Sequence, residues 1–354
     1  MVHVGREPGR TAPAGRNRAR VRAHGVDGGG VELRVVSSDG VCAHPVDDLS
    51  DLLDGPGLVW LDVPEWDADA ERVLTAGLGL HPRAVQDCAG RNPVPKVHRY
   101  PDHVFVVLHA PQRGLRGHVH YVELDQFVGP GFLVTVHGPM NPDVPAAAAR
   151  VETDTVLRRL QTGRLRPRSA EELSFALVTA LVNRLRDYLT ALTEEVWQLE
   201  RRVTGGHLGD PEQFLEELFQ VRHGLLAVRT MAALSREVYG RMATLAVFGA
   251  ADASLADVED QFRRIAAMAD SQREYLQGVI EFYRTRTDTK MTIAAERLAV
   301  IAAVTLPVTA ISSVVGMNVI VSDATHVGIL AVLLTGMAVM SVSVLVWARR
   351  KGWW

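Results

Sequence analysis

Cysteine is nearly missing. Cys42 and Cys88 are the only two in 354 residues, far apart and with no CxxC, which excludes a disulfide framework and a thiolate zinc site and fits a reducing compartment. Net charge is also missing: 38 Lys plus Arg stand against 41 Asp plus Glu, a formal −3, so the composition as a whole argues for no nucleic-acid partner. There is no nucleophile elbow, no HExxH and no phosphate loop, since Gly28-Gly29-Gly30 stands before a strand and not between strand and helix. The sequence carries no enzyme signature. What it does have is 47% hydrophobic residues, enough for two or three cores, with almost all of the unbroken apolar sequence in roughly the last 60 residues. Two segments there are long enough to cross a bilayer and carry no charge in their central stretches. The pattern is that of a membrane protein whose mass is mostly soluble.

Residues 1–29 hold six arginines (Arg6, Arg10, Arg16, Arg18, Arg20 and Arg22) and no apolar run that could serve as a signal peptide, so the N-terminus is expected not to be exported. A basic arm can bind nucleic acid or anionic lipid; without aromatics or periodicity it reads first as a solvated, disordered tail. Residues 30–166 read as an α/β domain. Val31–Val36 and Gly57–Val63 are β-rich, and Asp67–Leu80 and His81–Ala89 are helical. Val104–Leu108, His118–Phe127 and Phe132–His137 are strand-like, with Gly129-Pro130-Gly131 as the turn between the last two. His118 and His120, at i and i+2, share one strand face and are a two-ligand start for a metal site. With no third Cys, His or carboxylate at fixed spacing, they read as surface strand residues.

Residues 167–290 form a helical stalk. Leu185, Leu189, Leu192, Val196, Leu199 and Val203 step by 4, 3, 4, 3, 4, the seam of a coiled coil. Thr204-Gly205-Gly206 ends that helix, and Asp210-Pro211 starts another, with Leu218, Val221, Leu225 and Val228 in the same spacing. After a break at 249–252 a third helix, with Leu255, Val258, Phe262 and Ile265 on one face, meets no proline before Thr305. From Leu255 to Val315 it would run roughly 90 Å, far more than a ~30 Å hydrocarbon layer needs, so it must project from the membrane.

Residues 291–354 form the membrane part, with spans at about 298–315 and 327–347 joined by a link too short for anything but an antiparallel hairpin. Arg284, Arg286, Lys290 and Arg297 precede the first span and Arg349, Arg350 and Lys351 follow the second, whereas the link has only Asp323, which places both termini in the cytoplasm. One hairpin encloses nothing, so a transport path requires several copies around an axis. Thr305, Thr309, Ser312 and Ser313 in the first span suit either a wet lumen or helix–helix contacts.

The first span closes on Gly316-Met317-Asn318. That tripeptide, directly after the first of two C-terminal membrane helices and followed by a short outer loop and a basic tail, resembles the CorA family of divalent-cation channels, the magnesium transporters. Leu306-Pro307-Val308-Thr309, Trp60-Leu61-Asp62, His81-Pro82 with Asp87, Pro95-Lys96-Val97 and Leu133-Val134-Thr135-Val136-His137 extend the resemblance over most of the chain. It implies a funnel-shaped homopentamer: an α/β cytoplasmic domain, long stalk helices continuing into a pore-lining span, and an outer ring of second spans in the plasma (inner) membrane. The resemblance makes Gly316, Met317 and Asn318 the selectivity filter. It sets Thr292, Leu298, Leu306 and Thr309 on the pore axis, with Asp87, Asp257 and the helper Asp260 as a regulatory Mg²⁺ site at subunit boundaries. Mg²⁺ is then both cargo and regulator, with Co²⁺ and Ni²⁺ as further cargoes and no organic cofactor. Thr292 stands where the family usually has Asn, Val315 where it usually has an aromatic, and the outer loop keeps only Asp323 of an acidic cluster. These departures leave open a zinc transporter of the ZntB-like branch and a non-conducting, membrane-anchored oligomeric sensor.

Overall fold

The computed structural model describes residues 30–38, 40–138, 141–206, 209–244, 252–316 and 327–352. The N-terminal part is a mixed seven-stranded sheet covered on both faces by helices. Its strands are β1 (Glu32–Ser37), β2 (Gly40–His44), β3 (Leu58–Val63), β4 (Lys96–Arg99), β5 (Val104–Arg113), β6 (Val119–Gly129) and β7 (Phe132–Val136). They lie in the order β2-β1-β3-β7-β6-β5-β4, and only β3 and β7 pair in parallel. Alternate residues of β3 feed opposite cores, as a period of two requires. Val59, Leu61 and Val63 pack with α1 (Leu49–Leu53), α2 (Ala68–Arg72) and α3 (Pro82–Ala89). Leu58 and Trp60 pack on the other face, beyond the short α4 (Ala146–Ala149), against α5 (Val151–Gln161) and α6 (Ala170–Gly205). The helix expected over Asp67–Leu80 is instead α2 followed by a π-helical turn, Val73–Gly77, and α2 starts where the Asp67 carboxylate accepts from Ala70 N–H at 2.7 Å.

α6 serves two cores along its length. Its first turns carry Leu173 and Leu177 under Trp60 and Leu133, and Val178, Leu181 and Val182 then cover Val104, Val106 and Leu108. Beyond the sheet it packs against α7 (Pro211–Thr244) and the 65-residue α8 (Asp252–Gly316). Every position of the expected seam from Leu185 to Val203 is buried, at 3% exposure or less. That burial is satisfied inside one chain. The coiled-coil spacing therefore does not by itself argue for an oligomer.

Two local devices fix the stalk. α6 stops at Gly206, whose φ of +77° suits glycine, and Arg286 of α8 donates to the last free carbonyls of α6, Val203 O and Thr204 O. The tip of the α6–α7 hairpin is thereby tied to the helix that enters the membrane segment. The last helix, α9 (Val327–Arg350), contacts α8.

Candidate functional site: the face of α8 turned away from α9

The C-terminal part of α8 and α9 are the two helices long and apolar enough to cross a membrane among the described residues. Between Leu298 and Val314 the side chains that are not exposed are Val300, Val304, Pro307, Val308 and Ile311. At 3.6 residues per turn these fall in an arc of about 100°. α9 carries a matching stripe, Leu333, Met337, Met340, Ser341, Val344 and Ala348. Two stripes on two touching helices define the seam of the hairpin.

Thr292, Leu298, Leu306, Thr309 and Gly316 lie on the opposite side of α8, within an arc of about 120° by the same geometry. Leu298 and Leu306 are each 67% exposed in the single chain. Thr305, Ser312 and Ser313 are exposed on the same side as Thr309. The hydroxyls are thus not the glue between the two spans of one chain, which settles that alternative within the hairpin. Thr305 and Thr309 each donate to the carbonyl four residues back, at 2.9 and 2.8 Å, and keep lone pairs for other donors. Pro307 inside α8 has no N–H, so the Ala303 carbonyl loses its helical partner. From Thr292 to Gly316 the helix rises roughly 36 Å, a little more than a hydrocarbon layer.

Gly316 is the last residue of α8; Met317, Asn318 and the loop to His326 lie outside the described residues. The regulatory candidates are placed on separate elements. Asp87, on α3, accepts from Lys96 Nζ at 2.7 Å and borders a cleft with His81, His98 and Tyr100. Asp257 accepts from Gln261 at 2.6 Å, one turn along α8. Asp260 is clasped by Arg263 and Arg264, which hold its carboxyl below the usual carboxylate range. No hydrogen bond or ion pair among the described residues joins Asp87 to Asp257 or Asp260 within the chain.

The sequence reading missed two buried polar groups in the sheet. Asp62, 1% exposed, pairs with His137 Nε2 at 3.0 Å and accepts from the Thr135 hydroxyl at 2.5 Å. Burial pushes Asp62 up and His137 down, but the mutual charge outweighs it: the carboxyl ends below its ordinary range and the imidazole above its own. Glu123 and Asp125 lie on one face of β6, Glu123 held by the backbone N–H and side-chain amide of Asn92 at 2.9 and 2.5 Å. Burial, and then the Glu123 charge, push Asp125 well above the usual range. A raised carboxyl contributes stability that is full below the unfolded value of 3.8 and is lost as pH rises through the folded one. Asp125→Asn, which keeps the shape and cannot ionise, is therefore expected to melt above the wild type at pH 8, with the gap shrinking at pH 5. Each tenfold change in proton affinity corresponds to about 1.4 kcal/mol. A gap in melting temperature independent of pH would reject this account.

The chain is 24% identical over 289 residues to the cobalt/magnesium transport protein CorA of Thermotoga maritima, covering 78% of this chain and 77% of that one. The complete structure of the CorA magnesium transporter from Methanocaldococcus jannaschii superposes with a TM-score of 0.75 at 15% identity, over 92% of this chain and 98% of the other. The full-length CmaX protein gives 0.72 at 18% identity, over 94% and 100%. These likenesses cover the sheet, the stalk and the membrane hairpin alike. Residues 55–350 match the family described as CorA-like Mg²⁺ transporter protein, and with most of its length inside that match the chain belongs to the CorA family of divalent-cation transporters.

Proposed function

We propose that the chain is one subunit of a homopentameric, membrane-potential-driven Mg²⁺ channel in the plasma membrane with both termini cytoplasmic, and that Co²⁺ and Ni²⁺ share the path. Residues 30–166 form its cytoplasmic head, 167–290 the stalk and 291–354 the membrane part. The supporting observation is the two-sidedness of α8: α9 occupies one side, and Thr292, Leu298, Leu306 and Thr309 stand exposed on the other. Further copies around an axis would cover that face and make it a lumen with two leucine constrictions and a threonine ring. Mg²⁺ gives up water reluctantly, so neutral oxygens at Gly316 and Asn318, repeated five times, would hydrogen-bond its hydration shell without replacing it. No ATP site is needed, because an inside-negative potential drives a divalent ion inward by about 4.6 kcal/mol per 100 mV.

The test is ion flux into proteoliposomes with Mg²⁺, Zn²⁺ and Co²⁺ side by side at a set potential. Mg²⁺ entry that follows the potential is expected. Zn²⁺ entry without Mg²⁺ would replace this reading by the zinc one, and no entry of any ion would leave the non-conducting sensor. Native mass in detergent is expected at five times the 38.7 kDa chain. A monomer at working concentration would sink the pore mechanism.

A further inference from the structure

The histidine pair on the β5–β6 hairpin has no part in the transport reading, and the fold brings a third imidazole to it. The hairpin tip is docked on α7: a Cβ on Gly117, where φ is +73°, would stand 2.3 Å from Gln220 Cγ. One turn further along α7 is His223. The ring centre of His118 lies 4.6 Å from that of His120 and 6.3 Å from that of His223. The His120 ring has its place because position 114 is glycine; a Cβ there would stand 2.4 Å from His120 Nε2.

Two imidazoles on one tetrahedral metal, with metal–nitrogen bonds of about 2.0–2.1 Å, hold their ring centres roughly 5 Å apart. The two observed separations bracket that figure. All three rings line a cavity of about 840 Å³ at the carboxyl ends of the parallel pair β3 and β7, the edge where open α/β sheets take ligands. Among the described residues no three His, Cys, Asp or Glu side chains are already arranged around a metal position. His118 and His223 are exposed, however, and can turn about their side-chain bonds to close the set.

We propose that His118, His120 and His223 form a binding site for a divalent transition metal that prefers imidazole, of the Zn²⁺, Co²⁺ or Ni²⁺ class, with its remaining coordination positions open to the cavity. Mg²⁺ is not a ligand for this set, since it takes oxygen donors in near-octahedral geometry. The site is separate from Asp87, Asp257 and Asp260. It lies on the hairpin tip and on α7, which packs along α8.

Co²⁺ reports such a site directly, because exchanging its water for imidazole nitrogens in a four-coordinate site shifts and strongly intensifies its visible d–d absorption. Tag-free, full-length protein in detergent is titrated with Co²⁺ in the presence of millimolar Mg²⁺, with equilibrium dialysis for stoichiometry and Zn²⁺ as competitor. One Co²⁺ per chain is expected, displaced by Zn²⁺ and not by Mg²⁺. His118→Ala with His223→Ala should weaken Co²⁺ binding by more than about 10-fold. Gly114→Ala, which keeps all three histidines but crowds the ring of His120, should weaken it by less. Native mass confirms that each variant is assembled. Co²⁺ absorption unchanged from the free ion in the wild type, or unchanged affinity in the double variant, overturns the site. Absent Mg²⁺ flux would bear on the channel reading alone, since this site is read by binding.

Discussion

Asn318→Ala is expected to reduce Mg²⁺ uptake to the leak level of empty liposomes while the native mass stays unchanged. The substitution removes one side-chain acceptor per subunit from the ring that would hold the hydrated ion. A hydrogen bond polarised by a charged group contributes about 1.5–3 kcal/mol. Losing two of five at the lower figure would already cost more than about a hundredfold in occupancy. The fold of each subunit is expected to survive, because the burial that holds the chain together lies in the sheet, the stalk and the α8–α9 seam. The measurement is potential-driven Mg²⁺ flux, with Co²⁺ flux as a companion. Uptake at the wild-type rate would reduce Gly316-Met317-Asn318 to a helix stop.

Which parts of this molecule could be read from sequence follows from how each part buries itself. The stalk was legible because an apolar step of 4 and 3 has one structural solution, and Leu185 through Val203 are all buried. That spacing did not say whose helix fills the groove, and the partners turned out to be α7 and α8 of the same chain. β2 and β4 were not legible because they are the two edges of the sheet. Only Val97 is buried among their residues, so neither has the alternation of a strand with a covered face. Asp125 and Glu123 sit in β6 as ordinary polar residues, and nothing local says that Asn92 reaches Glu123 or that Cys88 of α3 lies beside Asp125. His223 is far along the chain from His118, and only the docking of the hairpin tip on α7 makes them neighbours. The hydroxyls of the first span could be counted but not oriented until the seam with α9 fixed the helix's rotation.

Replacing Asp87 and Asp257 together by Asn should leave the channel open at cytoplasmic Mg²⁺ concentrations that close the wild type. In a single chain each carboxylate has a weak local partner: Lys96 for Asp87, in a half-exposed pair, and Gln261 for Asp257. A half-exposed ion pair contributes about 0–1 kcal/mol, so a divalent ion bridging two carboxylates across a subunit boundary can displace it. Empty, such carboxylates repel; with the ion bound, the repulsion becomes a bridge that holds the stalks in one symmetric arrangement. The ion can shift the equilibrium only by its differential affinity for the closed state, and weak sites repeated around a ring reach millimolar sensitivity that way. Asp260, already clasped by Arg263 and Arg264, is expected to matter less, and Asp260→Asn alone should shift the response by far less than the double variant. The assay is current or flux with internal Mg²⁺ stepped from near zero to several millimolar, where the double variant should need at least about 10-fold more Mg²⁺ for half-closure, a cost of about 1.4 kcal/mol. Unchanged inhibition would refute Asp87 and Asp257 as the sensor and leave the proposal for the face of α8 turned away from α9 untouched, because Thr292, Leu298, Leu306 and Thr309 lie on a part of the helix that neither carboxylate contacts.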